Sequence, residues 1–327
     1  MVNIDKLRGA VKEIVSREDV RYVIGYEKGT YGLRVSPSFA FTPDDADRFI
    51  FSPLCVNNLA VYPVLEEKSP LLKNEKESPR KIGVIVKGCD SKAVVQIIQE
   101  RGMKREDLVL IGVPCTGMID PRKTKVKFPH HMKNVNLKEE KEKFVFVLNG
   151  TTHEVPKEEL IFDKCKHCQN PTPVLYDVLI GDEIRNTKKE DYEGVKAFEK
   201  KPLEEKWEYW SKHFARCIRC YACRDVCPMC YCKECMVDQV LPQWVRRSVN
   251  MSENTAWNIM RAYHLAGRCI GCGECERACP MGIPLTELNK KIEKDIREMF
   301  DYTPGLNVGG KPLLAMFKPG DPESFIL

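Results

Sequence analysis

The sequence predicts an α/β domain, built on a mixed and partly parallel sheet, followed by a mostly helical domain rich in cysteine. Residues 81–115 have the pattern strand, helix, strand, which is the unit of a parallel sheet. Seven cysteines then fall within residues 216–235, and four more lie between 269 and 279. The predicted bounds are 1–201 for the α/β domain, 202–300 for the cysteine-rich domain and 301–327 for a C-terminal tail.

Length, charge and cysteine content restrict the class of protein. The 327 residues suffice for two domains, and the net charge of +5 is too small for a nucleic-acid-binding surface. No apolar run approaches the roughly 20 residues that span a bilayer. The N-terminus lacks the apolar core of a signal peptide, so we expect a cytoplasmic protein without a transmembrane segment. In such a chain the 16 cysteines are more typical of metal or redox sites than of disulfides.

The strand–helix–strand unit begins with "KIGVIVKG", an apolar run typical of a buried strand. Asp90 or Ser91 is predicted to cap the helix that follows, and "EDLVLIGVPC" supplies the second strand. Cys89 and Cys115 therefore follow the carboxyl ends of neighbouring parallel strands. Open α/β sheets bind their ligands at this edge.

Further elements follow from local patterns. Residues 142–156 predict a hairpin that turns at Asn149-Gly150, and residues 170–184 a short helix followed by a turn. Residues 203–217 predict an amphipathic helix. Between the two groups of cysteines we expect two helical pieces, the second capped by Ser252 or Asn254.

The pattern C-x2-C-x2-C-x3-C-P occurs twice, and it is the bacterial ferredoxin pattern for 4Fe-4S clusters. Structural zinc sites use pairs of C-x2-C, so zinc fits poorly. In two-cluster ferredoxins the fourth cysteine of each pattern binds the other cluster. The C-terminal domain is therefore predicted to be ferredoxin-like with two 4Fe-4S clusters. The predicted ligands are Cys217, Cys220, Cys223 and Cys279 for cluster 1, and Cys269, Cys272, Cys275 and Cys227 for cluster 2.

The other eight cysteines leave alternatives open. Cys230, Cys232 and Cys235 directly follow the first pattern, and they either supply further ligands or pack as soft side chains around the clusters. In the α/β domain Cys115, Cys165 and Cys168 are candidate ligands of a further 4Fe-4S cluster. Cys89 or Cys55 would be the fourth ligand, the alternative for each being a buried apolar thiol.

The segments "VKGCD", "LIGVPC" and "CKHCQNPTPVLYDVLIGD", together with the twin ferredoxin pattern, resemble the beta-subunit family of coenzyme F420-reducing hydrogenases and F420-dependent formate dehydrogenases. The resemblance implies an α/β domain that binds FAD beside a 4Fe-4S cluster and exchanges hydride with the deazaflavin F420. It implies that the flavin splits this hydride into single electrons, which the clusters pass to or from a larger catalytic subunit. Cys115, Cys165 and Cys168 match positions similar to cluster ligands of the family.

The chain departs from the family at two points. It has no cysteine between Cys115 and Cys165, where hydrogenase beta subunits carry one, and no G-x-G-x-x-G fingerprint. A flavin phosphate could bind at the helix start formed by Lys87, Asp90, Ser91 and Lys92, or these residues only cap the helix. The sequence thus predicts an electron-transfer subunit of an oxidoreductase complex, without catalysis on its own. The alternative is a flavin-free wiring and docking subunit of a hydrogenase, heterodisulfide-reductase-like or other redox complex.

Overall fold

The computed structural model describes residues 2–68, 81–128, 135–148, 150–190 and 192–313. Asn149 of the predicted hairpin turn and residues 314–327 of the predicted tail lie outside these ranges. The described residues divide into two compact units, and the predicted domain bounds remain a prediction. The first unit comprises the described parts of Met1–Leu59, Glu75–Ser91 and Lys104–Glu190, and the second those of Ala60–Asn74, Lys92–Met103 and Asp191–Leu327.

The described residues form eight strands, all in the first unit. They are β1 Val20–Lys28, β2 Val35–Ala40, β3 Lys81–Val86, β4 Leu108–Gly112, β5 Val135–Glu139, β6 Lys143–Leu148, β7 Thr151–Pro156 and β8 Val178–Leu179. Five of them form a mixed sheet in the order β2-β1-β3-β4-β8, and the other three form a separate sheet in the order β5-β6-β7. The antiparallel pairing of β6 with β7 confirms the predicted hairpin.

The same ranges contain twelve α-helices. They are α1 Ile4–Val15, α2 Val61–Lys68, α3 Gly88–Gln99, α4 Pro121–Lys127, α5 Lys157–Leu160, α6 Asp163–Lys166, α7 Glu193–Glu199, α8 Leu203–Phe214, α9 Ala222–Asp225, α10 Met251–His264, α11 Glu274–Ala278 and α12 Leu285–Phe300. None of these helices is long and apolar enough to cross a membrane.

Strands β3 and β4 form the centre of the mixed sheet. They pair in parallel from Ile82 opposite Leu108 to Val86 opposite Gly112. All five residues of β4 are buried, which explains its continuous apolar sequence. The α/β fold class and the strand–helix–strand unit are therefore confirmed.

Helix α3 begins at Gly88, earlier than the predicted cap residues. The Asp90 side chain lies inside the first turn and accepts a hydrogen bond from the Lys87 backbone N–H at 2.9 Å. The carboxylate thus satisfies an amide at the helix start from the third helical position, as the acidic partner of a capping box does. Asp90 and Ser91 are consequently helical residues rather than caps.

The short helix predicted within residues 170–184 is wrong. Pro171 and Pro173 lack a backbone N–H and restrict the residues before them, which disfavours a helix here. The segment joins the sheet instead. The Asp177 carboxylate accepts a hydrogen bond from the Leu110 backbone N–H at 2.7 Å, and the Asp177 backbone N–H donates to the Leu110 carbonyl at 2.8 Å. Strand β8, which follows directly, pairs in parallel with β4.

In the second unit, α8 and α10 flank the first cysteine repeat. Helix α8 confirms the predicted helix, with Phe214 buried at its end and Trp207 exposed. Only one helix, α10, is described between the two repeats, where two pieces were predicted. Its N-cap is Asn250, whose side chain accepts from the Glu253 N–H at 2.9 Å, and not Ser252 or Asn254.

Candidate iron–sulfur sites

The two ferredoxin repeats have the same backbone conformation at matching positions. Two residues after the first cysteine, Arg219 has a φ of 55° and Gly271 a φ of 69°. Four residues after it, Tyr221 has a φ of 58° and Gly273 a φ of 68°. A short helix begins at the next residue in both cases, α9 in the first repeat and α11 in the second. The repeat in the sequence is therefore also a repeat in backbone geometry.

Most cysteines of the two repeats are shielded from solvent. Cys217 and Cys275 belong to the buried core of the second unit, against which Cys223 and Cys279 also pack. Cys272 is buried, whereas Cys220 is exposed. All sixteen cysteines of the chain lie in its described part, and none of them forms a disulfide. The unit therefore holds reduced thiols at positions where disulfides or apolar side chains would otherwise stabilise a small domain.

The fourth cysteine of each repeat lies near thiols of the other repeat. The pKa of Cys223 is raised to about 12, mainly by burial, with smaller increases from Cys275, Cys217 and Cys279 and a decrease from Arg261. Burial likewise raises the pKa of Cys269 to about 12, with contributions from Cys275 and from Cys227 of the first repeat. Such thiols must lose a proton before they bind iron. Because Cys275 raises the Cys223 pKa more than Cys279 does, these influences relate the two repeats without dividing their thiols into two sets, and the crossed ligand assignment stays a prediction.

Cys230, Cys232 and Cys235 have three different environments. The Cys230 side chain hydrogen-bonds that of Cys227 and thereby lowers the Cys227 pKa. Cys232 is exposed, and Cys235 packs against the core of the unit. Across the described ranges, no three His, Cys, Asp or Glu side chains are placed to hold a single metal ion.

Helix α10 contributes two buried polar side chains that the sequence analysis missed. The Asn254 amide donates to the carbonyls of Phe214 and Cys217, both at 2.9 Å, and so holds the chain between α8 and the first repeat. Arg261 donates from Nη2 to the Cys223 carbonyl at 2.8 Å. The available signal was the seven-residue spacing of these polar residues, which places them on the buried side of α10 together with Trp257.

In the first unit, four of the five cysteines influence one another. Burial raises the pKa of Cys115 well above its ordinary value, and Cys165 and Cys89 raise it further. Burial raises the pKa of Cys89 to about 12, with Cys168 among the contributing groups. Cys55 is completely buried, and none of these four thiols is among the main influences on its pKa. Cys89 and Cys55 are both influenced by Lys87 and Asp90, but only Cys89 is influenced by a thiol of the C-x2-C pair.

The chain after the C-x2-C pair is held against the start of α3. A Cβ on Gly88 would lie 1.7 Å from the Asn170 carbonyl oxygen, so only glycine fits there. The Cys115 N–H donates to the Pro171 carbonyl at 2.8 Å. The Val174 N–H donates to Ser91 Oγ at 2.9 Å. These contacts fix the C-x2-C segment beside Cys89 and Cys115.

The residues predicted to hold a flavin phosphate make contacts within the protein. Lys87 and Asp90 are completely buried and form an ion pair at 2.9 Å. Lys87 Nζ also donates to the Tyr26 hydroxyl and, at 2.8 Å, to the Asn57 carbonyl. Burial lowers the pKa of Lys87, but Asp90 and the thiols of Cys89 and Cys115 raise it above its ordinary value. Ser91 is buried as well, and Lys92 is half-buried.

Comparison with known proteins relates both cysteine-containing regions to known families. Residues 216–284 match a 4Fe-4S dicluster domain, and residues 79–196 match the C terminus of the coenzyme F420 hydrogenase/dehydrogenase beta subunit. The chain is 28% identical to the F420-dependent formate dehydrogenase subunit beta of Methanocaldococcus jannaschii over 292 residues, which cover 72% of this chain and 76% of that protein.

Two further comparisons concern other archaeal proteins. The chain is 27% identical over 295 residues to the F420-dependent formate dehydrogenase 1 subunit beta of Methanococcus maripaludis, covering 72% of this chain and 75% of the relative. A solved structure of the F420-reducing NiFe hydrogenase complex from Methanosarcina barkeri matches with a TM-score of 0.36 and 16% identity, over 51% of this chain and 62% of that one. The chain is thus similar to F420-dependent formate dehydrogenase beta subunits, and it combines a region matching the C terminus of the coenzyme F420 hydrogenase/dehydrogenase beta subunit with a 4Fe-4S dicluster domain.

Proposed function

We propose that this chain is an iron–sulfur electron-transfer subunit of an oxidoreductase complex, similar in role to formate dehydrogenase beta subunits. The observation that carries the proposal is the pair of cysteine repeats with matching backbone conformations inside the dicluster domain. Bound 4Fe-4S clusters would supply one-electron transfer there. The protein's own part is to hold thiol ligands away from water and to set the charge around them.

The thiols of the second unit fit two such clusters. Sulfur is the donor that iron–sulfur clusters require, and the two repeats supply it from buried or half-buried positions except at Cys220. Cys279 raises the pKa of Cys223, and Cys227 raises that of Cys269, as expected if each repeat supplies one ligand to the other repeat's cluster. The proposed ligands are Cys217, Cys220, Cys223 and Cys279 for cluster 1, and Cys269, Cys272, Cys275 and Cys227 for cluster 2.

A third cluster would be held by Cys89, Cys115, Cys165 and Cys168, because these four thiols influence one another. Cys89→Ala should then lower the iron content of the purified protein by one cluster. Cys55→Ala should leave the iron content unchanged, since Cys55 is a buried apolar thiol. The reverse result for the two variants would move the fourth ligand to position 55.

The proposed cofactor, substrate and partner of this subunit are suggested by the names of its relatives. Their names specify F420-dependent formate dehydrogenases. A hydride carrier and one-electron clusters need a flavin between them, so FAD and F420 are the proposed cofactor and substrate, and a larger catalytic subunit is the proposed partner.

A flavin-free wiring subunit is the second candidate, and one observation favours it. Lys87 and Asp90 are buried in contact with each other, and Ser91 Oγ accepts from Val174 and donates to the Gly88 carbonyl. Three of the four predicted phosphate-binding residues are thus engaged inside the protein. Under this candidate the chain holds clusters and feeds a partner without a flavin of its own.

The two candidates are separated by anaerobic purification of the whole complex from its native host. Iron, acid-labile sulfide and acid-released flavin are measured on the same sample, and co-purifying chains are identified. Iron and sulfide for at least two 4Fe-4S clusters are expected. Flavin in proportion to this chain would support the first candidate, and undiminished electron transfer without flavin the second. A colourless protein without labile sulfide would overturn both.

A further inference from the structure

Arg261 places a positive charge among the thiols of the two ferredoxin repeats. Its side chain comes from α10 and is only 4% exposed. Nη2 donates to the Cys223 carbonyl, while Nε is buried and, among the described residues, has no hydrogen-bond partner. A buried guanidinium with an unsatisfied N–H is costly, which calls for a compensating negative group close by.

The groups that act on the Arg261 charge are thiols. Burial lowers the pKa of Arg261, whereas Cys275, Cys227, Cys230 and Cys223 raise it, in that order. No carboxylate of the described chain forms an ion pair with Arg261. Cys275 and Cys227 belong to the proposed cluster 2, and Cys223 to cluster 1. The buried guanidinium, which is hydrogen-bonded to the Cys223 carbonyl, is therefore influenced by proposed ligands of both clusters.

Another arginine of the same region shows the contrast. Cys272 is among the groups that raise the pKa of Arg277. The Arg277 guanidinium, however, forms an ion pair with the Glu274 carboxylate at 2.7 Å and a second hydrogen bond to it at 2.9 Å. Its charge is thus neutralised locally. Arg224, adjacent to Cys223 in sequence, is likewise paired with Asp225 and Asp238. Arg261 differs from both because its charge remains available to the thiolates.

We propose that Arg261 is a shared counter-charge for the two clusters, which raises both reduction potentials. The inference rests on the proposed function. An added electron makes a thiolate-bound cluster more negative, and a fixed positive charge in a solvent-excluded position stabilises that form. Because arginine keeps its proton at all physiological pH values, the effect does not depend on titration.

The test compares Arg261→Gln and Arg261→Lys in the anaerobically purified protein, with Arg224→Met as a matched control. The cluster potentials are read by redox titration monitored by electron paramagnetic resonance, and iron content is measured in parallel. For Arg261→Gln we expect the reduction potentials of both clusters to fall. At least one of them should fall by about 59 mV or more, which is a tenfold change in the equilibrium constant of a one-electron reduction. Arg261→Lys keeps the charge and should change either equilibrium less than tenfold, as should Arg224→Met.

The outcomes separate this inference from the proposed function. A wild-type protein without clusters would overturn the proposed function itself. Full iron in Arg261→Gln with unchanged potentials would overturn only the role of Arg261. If Arg261→Gln does not assemble its clusters, Arg261→Lys decides: assembly with near-wild-type potentials supports a need for charge. Failure of Arg261→Lys to assemble, or an equally large fall in its potentials, would mean that the shape of arginine is what matters.

Discussion

The two ferredoxin repeats achieve one backbone conformation by different chemical means. The second repeat uses Gly271 and Gly273 at its left-handed positions, where glycine has no steric penalty. The first repeat has Arg219 and Tyr221 there, each in a conformation that costs a residue with a side chain about 1–2 kcal/mol. The strain in the first repeat must therefore be offset by contacts of these two side chains.

Those contacts are present. Arg219 is 6% exposed and donates to the Glu253 carbonyl at 2.7 Å and to the Arg246 carbonyl at 3.1 Å. The Tyr221 ring meets the Trp257 ring edge-to-face with centroids 5.0 Å apart. The first repeat is thus anchored by side chains to α10 and to the segment before it, whereas the second has glycine at both left-handed positions. A motif defined by its cysteines can hide two different ways of holding them.

The largest difference between the repeats should appear on removal of a ligand. Cys220→Ala and Cys272→Ala should each remove the iron of one cluster, because a cube needs all four thiolates. Cys272→Ala should lower the unfolding temperature more, since Cys272 is buried and Cys220 exposed. Iron, labile sulfide and anaerobic thermal unfolding measure both effects.

Cys232→Ala is the control for this pair, as Cys232 is exposed and outside the ferredoxin pattern. Its iron content should match that of the wild-type protein. Full iron in Cys220→Ala or Cys272→Ala would refute the ligand assignment, and loss of iron in Cys232→Ala would make the cysteines after the first repeat ligands.

The sequence predicts the elements whose signal is local and misses those set by tertiary contacts. Continuous apolar runs identified β3 and β4, and cysteine spacing identified the dicluster domain. The segment around Asp177 was misjudged because its partner, the Leu110 backbone, lies far away in sequence. Arg261 was missed for the same reason, since a single arginine in a helix is usually solvent-exposed and only packing shows otherwise.

Loss of the anchor in the first repeat should have an intermediate effect. Arg219→Ala keeps the strained backbone but removes the hydrogen bonds to the Glu253 and Arg246 carbonyls and to the Tyr221 hydroxyl, and should destabilise the protein by about 2 kcal/mol. Arg219→Gly should be less destabilising by about 1 kcal/mol, because glycine relieves the strain. Anaerobic denaturant unfolding gives both values. Arg216→Ala, at an exposed neighbour, should change stability by less than about 0.5 kcal/mol. Equal stabilities of Arg219→Ala and Arg216→Ala would show that the anchor contributes nothing.

The smallest change in stability should come from a substitution in the second repeat. This substitution tests the backbone conformation separately from side-chain contacts. An added Cβ at Gly271 meets no atom within 4 Å, so Gly271→Ala adds only the left-handed strain, about 1 kcal/mol. Gly194 in α7 is equally open but lacks the positive φ, so Gly194→Ala should stabilise slightly, by about 0.5–1 kcal/mol. Opposite signs for these two substitutions, measured by anaerobic unfolding, would show that conformation and not space requires glycine at position 271. If Gly271→Ala does not destabilise the protein, the second repeat, like the first, tolerates a side chain at this position, and its glycines are not what shapes it.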